Sequence, residues 1–234
     1  MYGAFFICFF LLVFFRIKEL FMNKKIEQFI DLFEAENHKL NLCKFGDRKD
    51  FISRHIMDSL ESSQFLAKAK KVLDLGTGGG LPGLVLAISH PKTEFTLMDS
   101  IGKKCVSVER MTKELKLTNV KVICGRAEEL AHDIREKFDV VIARALAPLP
   151  TLLELASGFV RRGGLLIAYK GPNYQEELTS SKHAMLEMNL LLDKIHQYKL
   201  PDDEVRRVLM VFNKNKTLDS KYPRQNGLPK KRPL

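Results

Sequence analysis

The chain changes its hydropathy pattern at Lys71, and this change constrains its fold more than any other feature. Before Lys71 apolar residues recur at helical spacing, and after it short apolar runs alternate with helix-like stretches. Strands separated by helices require right-handed crossovers and a mainly parallel sheet covered on both faces. The predicted strands are 72–75, 95–98, 120–124, 140–143, 165–169, 195–198 and 208–212, and the predicted helices between them are 83–89, 102–116, 149–161 and 174–192.

The last two predicted strands have no helix between them, because Pro201 to Glu204 is typical of a turn. They are therefore expected to form an antiparallel hairpin at one edge of the sheet. The sequence predicts an α/β, Rossmann-like fold whose mostly parallel sheet has seven strands, with an N-terminal helical extension. We divide the chain into a helical prelude (residues 22–69), a sheet domain (70–213) and a basic C-terminal segment (214–234).

Composition excludes several classes of protein. With 45% hydrophobic residues, 14 glycines and 9 prolines among 234 residues, the chain is neither fibrous nor largely disordered. Its four cysteines are scattered, with no C-x-x-C pair, so neither a zinc site nor a secreted disulfide framework is expected. We expect a cytoplasmic protein without a bound metal.

The first residues contain an apolar run, Tyr2 to Phe15, that is rich in phenylalanine. It is shorter than the ~20 residues that a membrane-spanning helix needs, and it lacks the basic region and cleavage site of a secretory signal. An amphipathic pattern opens only at Met22. We therefore expect Met22 to be the true start, residues 1–21 to be a non-native upstream extension, and no association with a membrane.

A glycine-rich loop, Gly76 to Gly83, follows the first predicted strand and leads into a helix. Glycines let the backbone approach a ligand closely, and in an open α/β sheet the ligand lies at the carboxyl ends of the strands. Asp99 ends the second strand about 20 residues further on, where a carboxylate can accept both ribose hydroxyls of a nucleoside. Ala127 and Glu128 follow the third strand, beside the expected position of adenine.

These features indicate an adenosine-containing cofactor but leave its identity open. A dinucleotide-binding dehydrogenase would use G-x-G-x-x-G, which Gly78, Gly80 and Gly83 can be made to fit. Against it, Asp74 would lie awkwardly beside a pyrophosphate. Gly102-Lys103-Lys104 lacks the rest of a P-loop, so phosphoryl transfer is disfavoured.

The D-x-G-x-G-x-G pattern of Asp74 to Gly80 resembles the first motif of S-adenosylmethionine-dependent methyltransferases. More specifically, residues 22–234 resemble the bacterial small-subunit ribosomal RNA guanine-N7 methyltransferase family, also called glucose-inhibited division protein B. The matching stretches are Asn41-Leu42, His55-Ile-Met-Asp58-Ser59-Leu60, Asp74 to Gly83, Leu97 to Ser100 with Gly102-Lys103, Arg126 to Glu129, Ala143-Arg144-Ala145, Gly163-Gly164, Lys170-Gly171, and Tyr222 to Arg224 with Pro229 to Pro233.

The resemblance implies a class I methyltransferase fold, S-adenosylmethionine as cofactor, and 16S ribosomal RNA or the small ribosomal subunit as partner. The residues expected to bind the cofactor are Asp74, Gly76, Gly78, Leu81, Asp99, Ala127, Glu128 and Arg144. The remaining alternatives are a small-molecule methyltransferase and a non-catalytic nucleotide-binding or RNA-binding module. We expect a monomer.

Motifs that the sequence lacks narrow the choice of the base atom that would accept the methyl group. Ala143 to Leu146 stands where adenine-N6 and cytosine-N4 enzymes carry [DNS]-P-P-[YFW], and no cysteine lies in the Pro-Cys context of pyrimidine-C5 enzymes. Guanine N7 has a free lone pair and no proton, so its methylation needs neither a base nor a covalent intermediate.

Arg144 is the predicted catalytic residue, because it follows the fourth strand and can pair with the cofactor carboxylate or donate to guanine O6. The alternative is a purely structural ion pair with Asp99 or Glu128. His55 and Asp58 lie on one helical face and resemble an acid/base pair. A role in orientation or hydrogen bonding is favoured for them, because N7 needs no base.

Much of the net charge of +10 lies in the C-terminal segment. This segment contains seven basic residues, including Lys214, and one acidic residue, Asp219. Such a segment is typical either of a polyanion-binding tail or of a solvated terminus. With ribosomal RNA as the implied partner, the predicted phosphate-binding residues are Lys170, Arg224, Lys230, Lys231 and Arg232.

Overall fold

The computed structural model of the protein describes residues 24–201 and 203–234. The apolar run and the expected start at Met22 lie outside these residues. Within the described ranges, no helix has both the length and the apolar character needed to cross a membrane.

A seven-stranded sheet forms the centre of the molecule, in the order β3-β2-β1-β4-β5-β7-β6. Strands β1 to β5 pair in parallel, and β7 runs antiparallel between β5 and β6. This confirms the predicted α/β class with an antiparallel edge pair. The strands are β1 (Lys71–Leu75), β2 (Glu94–Asp99), β3 (Val120–Cys124), β4 (Phe138–Arg144), β5 (Val160–Lys170), β6 (Leu190–Tyr198) and β7 (Arg207–Lys214).

Ten α-helical elements are found in the described residues. The prelude holds α1 (Lys24–Leu40), α2 (Arg48–Phe51) and α3 (Asp58–Leu60), with a π-helical turn at Ile52–Met57 and a 3₁₀ turn at Glu61–Phe65. The others are α4 (Gly83–Ser89), α5 (Gly102–Glu114), α6 (Ala127–Asp133), α7 (Leu149–Ser157), α8 (Tyr174–Ser180), α9 (Lys182–Glu187) and α10 (Leu228–Lys231).

Three helix predictions differ from the structure. The helix predicted over 149–161 ends at Ser157, because Val160 already pairs with Phe138 at the start of β5. The stretch 174–192 contains two short helices and the first residues of β6 rather than one helix. Helix α6 was not predicted, since Ala127–Asp133 contains few apolar residues, whereas the equally short α4 is almost entirely apolar.

The core has two layers, one on each face of the sheet. On one face, Phe29, Phe33 and Phe51 of the prelude pack with helices α4 and α5. On the other face, α7 and α9 pack with the C-terminal residues Leu218 and Tyr222. The prelude is therefore part of one layer of the core.

The C-terminal segment is folded against the body of the protein. Arg135 donates hydrogen bonds to the carbonyl oxygens of Leu218, Asp219 and Tyr222, at 2.7–2.9 Å. Lys214 is fully buried, and its Nζ lies 2.6 Å from Glu136 Oε1. The positive charge of Lys214 is therefore not available to an external polyanion.

Candidate active site

The loop after β1 takes its shape from a buried carboxylate. Asp74 Oδ2 accepts hydrogen bonds from Thr77 Oγ1 at 2.6 Å and from the backbone N–H of Gly83 at 2.8 Å. Burial raises the pKa of Asp74 to about 6, against the opposing effect of these bonds. Asp74 lines neither of the cavities described below, and the contacts that the structure gives it hold the loop.

The loop needs glycine at Gly76 and Gly78 for different reasons. Both have left-handed backbones, with φ of 75° and 58°. A side chain at Gly76 would lie 2.6 Å from Leu146 Cδ1, whereas one at Gly78 would meet no atom within 4 Å and would occupy open space. Gly78 therefore leaves room for a ligand to lie against the loop.

Asp99, at the end of β2, is tied to the same loop. Its Oδ2 accepts from the backbone N–H of Gly78 at 2.9 Å, and its Oδ1 accepts from that of Ile101 at 2.9 Å. Ile101 is 42% exposed and Leu146 is 36% exposed, although both are large apolar residues. They provide apolar surfaces on which a flat aromatic ring can pack.

A cavity of about 380 Å³ lies between these groups, and we call it the adenosine-side cavity. Asp99, Ala127 and Glu128 all line it, as the sequence predicted. Glu128 Oε1 accepts from Arg126 Nη2 and from the backbone N–H of Gly227, each at 3.0 Å. Burial opposes ionisation of Glu128, but these hydrogen bonds outweigh it and hold the pKa of its carboxyl below the usual value.

A second cavity of about 690 Å³, the acceptor-side cavity, extends from the loop to the prelude. Gly76, Lys104 and Ala145 line both cavities, so the two meet at the carboxyl ends of β1 and β4. The acceptor-side cavity brings together residues from the loop, the prelude and the β6–β7 edge. Among them are Leu42, His55, Asp58, Gly78, Leu81, Arg144, Tyr169, Tyr198 and Arg207.

Arg144 reaches this cavity from β4 and pairs with the prelude. Its Nη1 lies 2.9 Å from Asp58 Oδ2, and both side chains are mostly buried. The sequence-based alternative partners, Asp99 and Glu128, are therefore wrong. Tyr198 donates a hydrogen bond from its hydroxyl to Asp58 Oδ1 at 2.7 Å. The Asp58 carboxylate is thus held by Tyr198 through one oxygen and fixes the position of Arg144 through the other.

His55 and Cys43 lie beside Arg144 in states that do not suit acid, base or nucleophilic catalysis. Burial, with the charge of Arg144 adding to it, lowers the pKa of His55 to about 4, so the ring is neutral at physiological pH. Burial raises the pKa of the Cys43 thiol to about 11. The structure therefore favours orientation and hydrogen bonding as the role of His55.

Two of the predicted phosphate-binding residues are already engaged. The Lys170 side chain is 7% exposed, and its Nζ lies 2.6 Å from Glu177 Oε2 and 2.9 Å from the carbonyl oxygen of Ala147. Arg224 forms a two-pronged ion pair with Glu154, which is fully buried. Both side chains are paired within the protein, whereas Lys230, Lys231 and Arg232 are exposed.

Sequence reasoning missed Tyr198 and Arg207 as site residues. Arg207 Nη2 lies 2.8 Å from Asp203 Oδ2, and its Nη1 lies 3.7 Å from Asp58 Oδ1. The predicted hairpin contained the necessary signal. In such a hairpin the first strand runs parallel to the rest of the sheet, so the turn that follows it lies at the carboxyl ends of the parallel strands. Ligands of open α/β sheets bind at these ends.

The described residues contain no cluster of His, Cys, Asp or Glu able to hold a metal ion. The model of the GidB family, described as rRNA small subunit methyltransferase G, matches residues 22–206. This chain belongs to that family. The enzyme of that name from Clostridium novyi (strain NT) is 36% identical over 221 residues, covering 92% of this chain and 91% of the relative. The one from Pseudothermotoga lettingae is 39% identical over 212 residues, covering 91% and 92%.

Solved methyltransferase structures share the fold of this GidB family member. A putative O-methyltransferase from Klebsiella pneumoniae has a TM-score of 0.57 at 16% identity, covering 80% of this chain and 90% of that one. A precorrin-6y C5,15-methyltransferase from Geobacter metallireducens has a TM-score of 0.55 at 11% identity, covering 73% and 94%. The predicted class I methyltransferase fold is thereby confirmed, and the dehydrogenase alternative is not favoured.

S-adenosylmethionine is the methyl donor of the GidB family, and the residues present fit it. Asp99 and Glu128 offer carboxylates for a ribose and an adenine amino group, and Ile101 and Leu146 offer apolar faces for the ring. The open space at Gly78 and the adjoining acceptor-side cavity accommodate the methionine part.

Proposed function

We propose that this enzyme methylates the N7 atom of a guanine in 16S ribosomal RNA. One observation carries the choice of N7: Arg144 is fixed beside the junction of the two cavities, where the His55 ring is only a weak base and the Cys43 thiol stays protonated at physiological pH. An acceptor with a lone pair and no proton is the one that such a site can serve.

The residues of the chain would act by alignment and by charge. When bound, S-adenosylmethionine supplies an electrophilic methyl group on a sulfonium. Arg144 would donate to guanine O6 or to the cofactor carboxylate, which orients the two reactants without occupying N7. Asp58 and Tyr198 would keep the guanidinium in place, and Leu81 would help to keep the site dry.

RNA would approach over the open side of the acceptor-side cavity, where Arg54 and Lys44 lie at its lining. Lys231 and Arg232 add exposed positive charge on the C-terminal segment, which lies along the adenosine-side cavity. Contacts of this kind are made to phosphates and tolerate any sequence, so the choice of one guanine would come from the shape of the ribosomal RNA. We propose a monomeric, cytoplasmic enzyme that acts on the RNA or on the small subunit.

Single-turnover transfer of labelled methyl to naked 16S ribosomal RNA and to small subunits, followed by mapping of the modified base, tests this function. We expect label on one guanine, at N7, which is recognised because 7-methylguanosine permits chain cleavage after reduction. Label on another atom or base would contradict the N7 assignment. Transfer to small molecules but not to RNA would favour the alternative enzyme class.

Calorimetry tests the nucleotide-binding alternatives. We expect S-adenosylmethionine to bind and NAD to give no heat. Gly78→Val should abolish cofactor binding, because a β-branched side chain would occupy the open space and is strained at a left-handed φ. Gly46→Val is the matched control, since Gly46 has an ordinary φ and lies in neither cavity.

A further inference from the structure

The C-terminal segment lies along the adenosine-side cavity, and Lys230 is one of the residues that line it. The remaining lining comes from the sheet domain, including Asp99, Ile101 and Glu128. The backbone N–H of Gly227 donates to Glu128 Oε1 at 3.0 Å. The segment therefore contacts the cavity twice, through a hydrogen bond to one of its carboxylates and through a lysine side chain.

The backbone around Lys230 is anchored from both sides. Arg224 donates three hydrogen bonds to Glu154, from its backbone N–H and from Nε and Nη2, at 2.6–2.9 Å. Its Nη2 also donates to the carbonyl oxygen of Arg232 at 2.7 Å. Thr151, itself a lining residue, donates to the carbonyl oxygen of the buried Pro229 at 3.0 Å. Lys230 thus follows directly after a residue held against the cavity wall.

We propose that residues 224–232 form the outer wall of the adenosine site and that Lys230 is a cofactor-binding residue. An ammonium group has three donors and no acceptor, and the ring nitrogens of adenine and the oxygens of ribose are acceptors. Lys231 carries the same charge on the same turn but lines neither cavity. The two adjacent lysines therefore have different tasks, Lys230 toward the cofactor and Lys231 toward the solvent side.

The direction in which the affinity changes when a lysine loses its charge distinguishes a direct contact from a general electrostatic effect. S-adenosylmethionine carries a sulfonium, an ammonium and a carboxylate, so its net charge is positive, whereas S-adenosylhomocysteine is neutral overall. Removing a nearby cation that makes no contact would strengthen binding of the first and leave the second unchanged. Removing a hydrogen-bond donor to adenosine weakens both.

The test compares Lys230→Met with Lys231→Met in the full chain, without RNA. Both substitutions keep the alkyl stem and remove one charge. Calorimetric titration with S-adenosylmethionine and with S-adenosylhomocysteine should give a Kd about tenfold higher for Lys230→Met with both ligands, on the scale of one charge-assisted hydrogen bond. Lys231→Met should bind S-adenosylhomocysteine as the parent does, and S-adenosylmethionine as tightly as the parent or slightly more tightly. Thermal unfolding of both variants verifies that they remain folded.

Two outcomes would overturn the proposal. Unchanged affinity in Lys230→Met would show that its ammonium does not contact the cofactor. Equal weakening in both variants would indicate a change in the whole segment rather than a contact by one residue. Because no acceptor is present, neither outcome depends on guanine N7 or on RNA as the substrate.

Discussion

The helical prelude and the C-terminal segment lie outside the sheet domain and close opposite halves of the site, but different contacts hold them. The prelude is held by apolar packing, with Phe29, Phe33 and Phe51 fully buried. The C-terminal segment also buries Leu218 and Tyr222 in the core, but its last residues are held by hydrogen bonds and ion pairs to carboxylates of α6 and α7, chiefly Glu128 and Glu154. Apolar contacts accept any neighbour of suitable shape, whereas polar contacts need particular atoms in particular places.

The two segments also bring different chemistry to the site. The prelude places Asp58 against Arg144, beside the position at which the methyl group would be transferred. The C-terminal segment places Lys230 at the far end, in the cavity lined by Asp99 and Glu128. Loss of a contact in the prelude is therefore expected to reduce the rate, and loss of one in the C-terminal segment is expected to reduce stability or affinity.

The largest effect is expected at the Asp58–Arg144 ion pair. Arg144→Ala should lower the single-turnover rate of methyl transfer by at least about a hundredfold, because it removes a preorganised cation from the reacting groups. Asp58→Asn should cost less, since the amide oxygen can still accept from Arg144. Arg161→Ala is the matched control, because Arg161 pairs with Asp139 outside both cavities. If Arg144→Ala and Arg161→Ala methylate equally well, Arg144 has no catalytic role.

The next effect concerns stability of the C-terminal segment. Arg224→Ala leaves the fully buried Glu154 carboxylate without its partner, which should cost about 3–5 kcal/mol of unfolding free energy and lower Tm by roughly 10 °C. Arg232→Ala, at an exposed position, should leave Tm within about 2 °C of the parent. Glu154→Gln in the Arg224→Ala background should recover part of the loss, because a neutral amide is less costly to bury.

Equal Tm values for Arg224→Ala and Arg232→Ala in thermal unfolding would contradict the anchoring of this segment. They would mean that Glu154 finds another partner or that the segment is detached in solution.

The contrast between apolar and polar anchoring explains what could be predicted from the sequence. Apolar periodicity identified the prelude and all seven strands, because burial of alternating or helically spaced residues leaves a visible pattern. The glycine loop and Asp99 could be placed because the carboxyl ends of parallel strands share one edge. The Asp58–Arg144 pair could not be predicted, since its members are 86 residues apart and only the packing of the prelude brings them together.

The C-terminal segment could not be placed for a related reason. Its anchors are single polar contacts between distant residues, such as Arg135 with the carbonyl oxygen of Tyr222, and such contacts have no period along the chain. Its basic residues therefore resembled a solvated charge run, although Lys214 and Arg224 are structural. Of the predicted phosphate-binding residues, Lys230, Lys231 and Arg232 are exposed, and Lys230 is assigned above to the cofactor.

A smaller effect is expected when Lys231 and Arg232 are both changed to Met. Loss of two phosphate contacts should lower RNA affinity and reduce the slope of log K against log salt by about 1.5. Cofactor affinity should not change, because neither residue lines the adenosine-side cavity. The double variant Lys68→Met/Lys70→Met removes the same charge just before β1, at the amino ends of the parallel strands, and should leave the slope unchanged. An equal slope in both double variants would restrict the RNA surface to the acceptor-side cavity and the prelude.

The smallest effect is expected from pH, and it tests whether the prelude supplies a proton-transfer group. The pKa of His55 is lowered to about 4 from its usual value near 6.5, so the ring remains neutral from about pH 7 down to about pH 5.5. Guanine N7 carries no proton, so the single-turnover rates of the parent and of His55→Gln, at saturating cofactor and RNA, should follow the same pH profile across this range, including any change caused by the Asp74 carboxyl, whose pKa is raised to about 6. His55→Gln should retain the rate at pH 7 within about threefold, whereas loss of a general base costs about a hundredfold or more.

Stability should respond to the protonation of His55 although the rate does not. Because the folded pKa of His55 lies below the unfolded value, the native state binds fewer protons, and the stability that the neutral ring contributes is lost as pH falls from about 6.5 to about 4. The raised pKa of Asp74 acts in the opposite direction over part of this range, so the parent must be compared with His55→Gln rather than measured alone. The difference in unfolding free energy between them should shrink as pH falls.

The rate measurement has a contrary outcome of its own. A rate that declines with an apparent pKa near 6.5 in the parent, and not in His55→Gln, would make His55 a proton acceptor. The prelude would then be a catalytic element rather than a wall that orients Arg144.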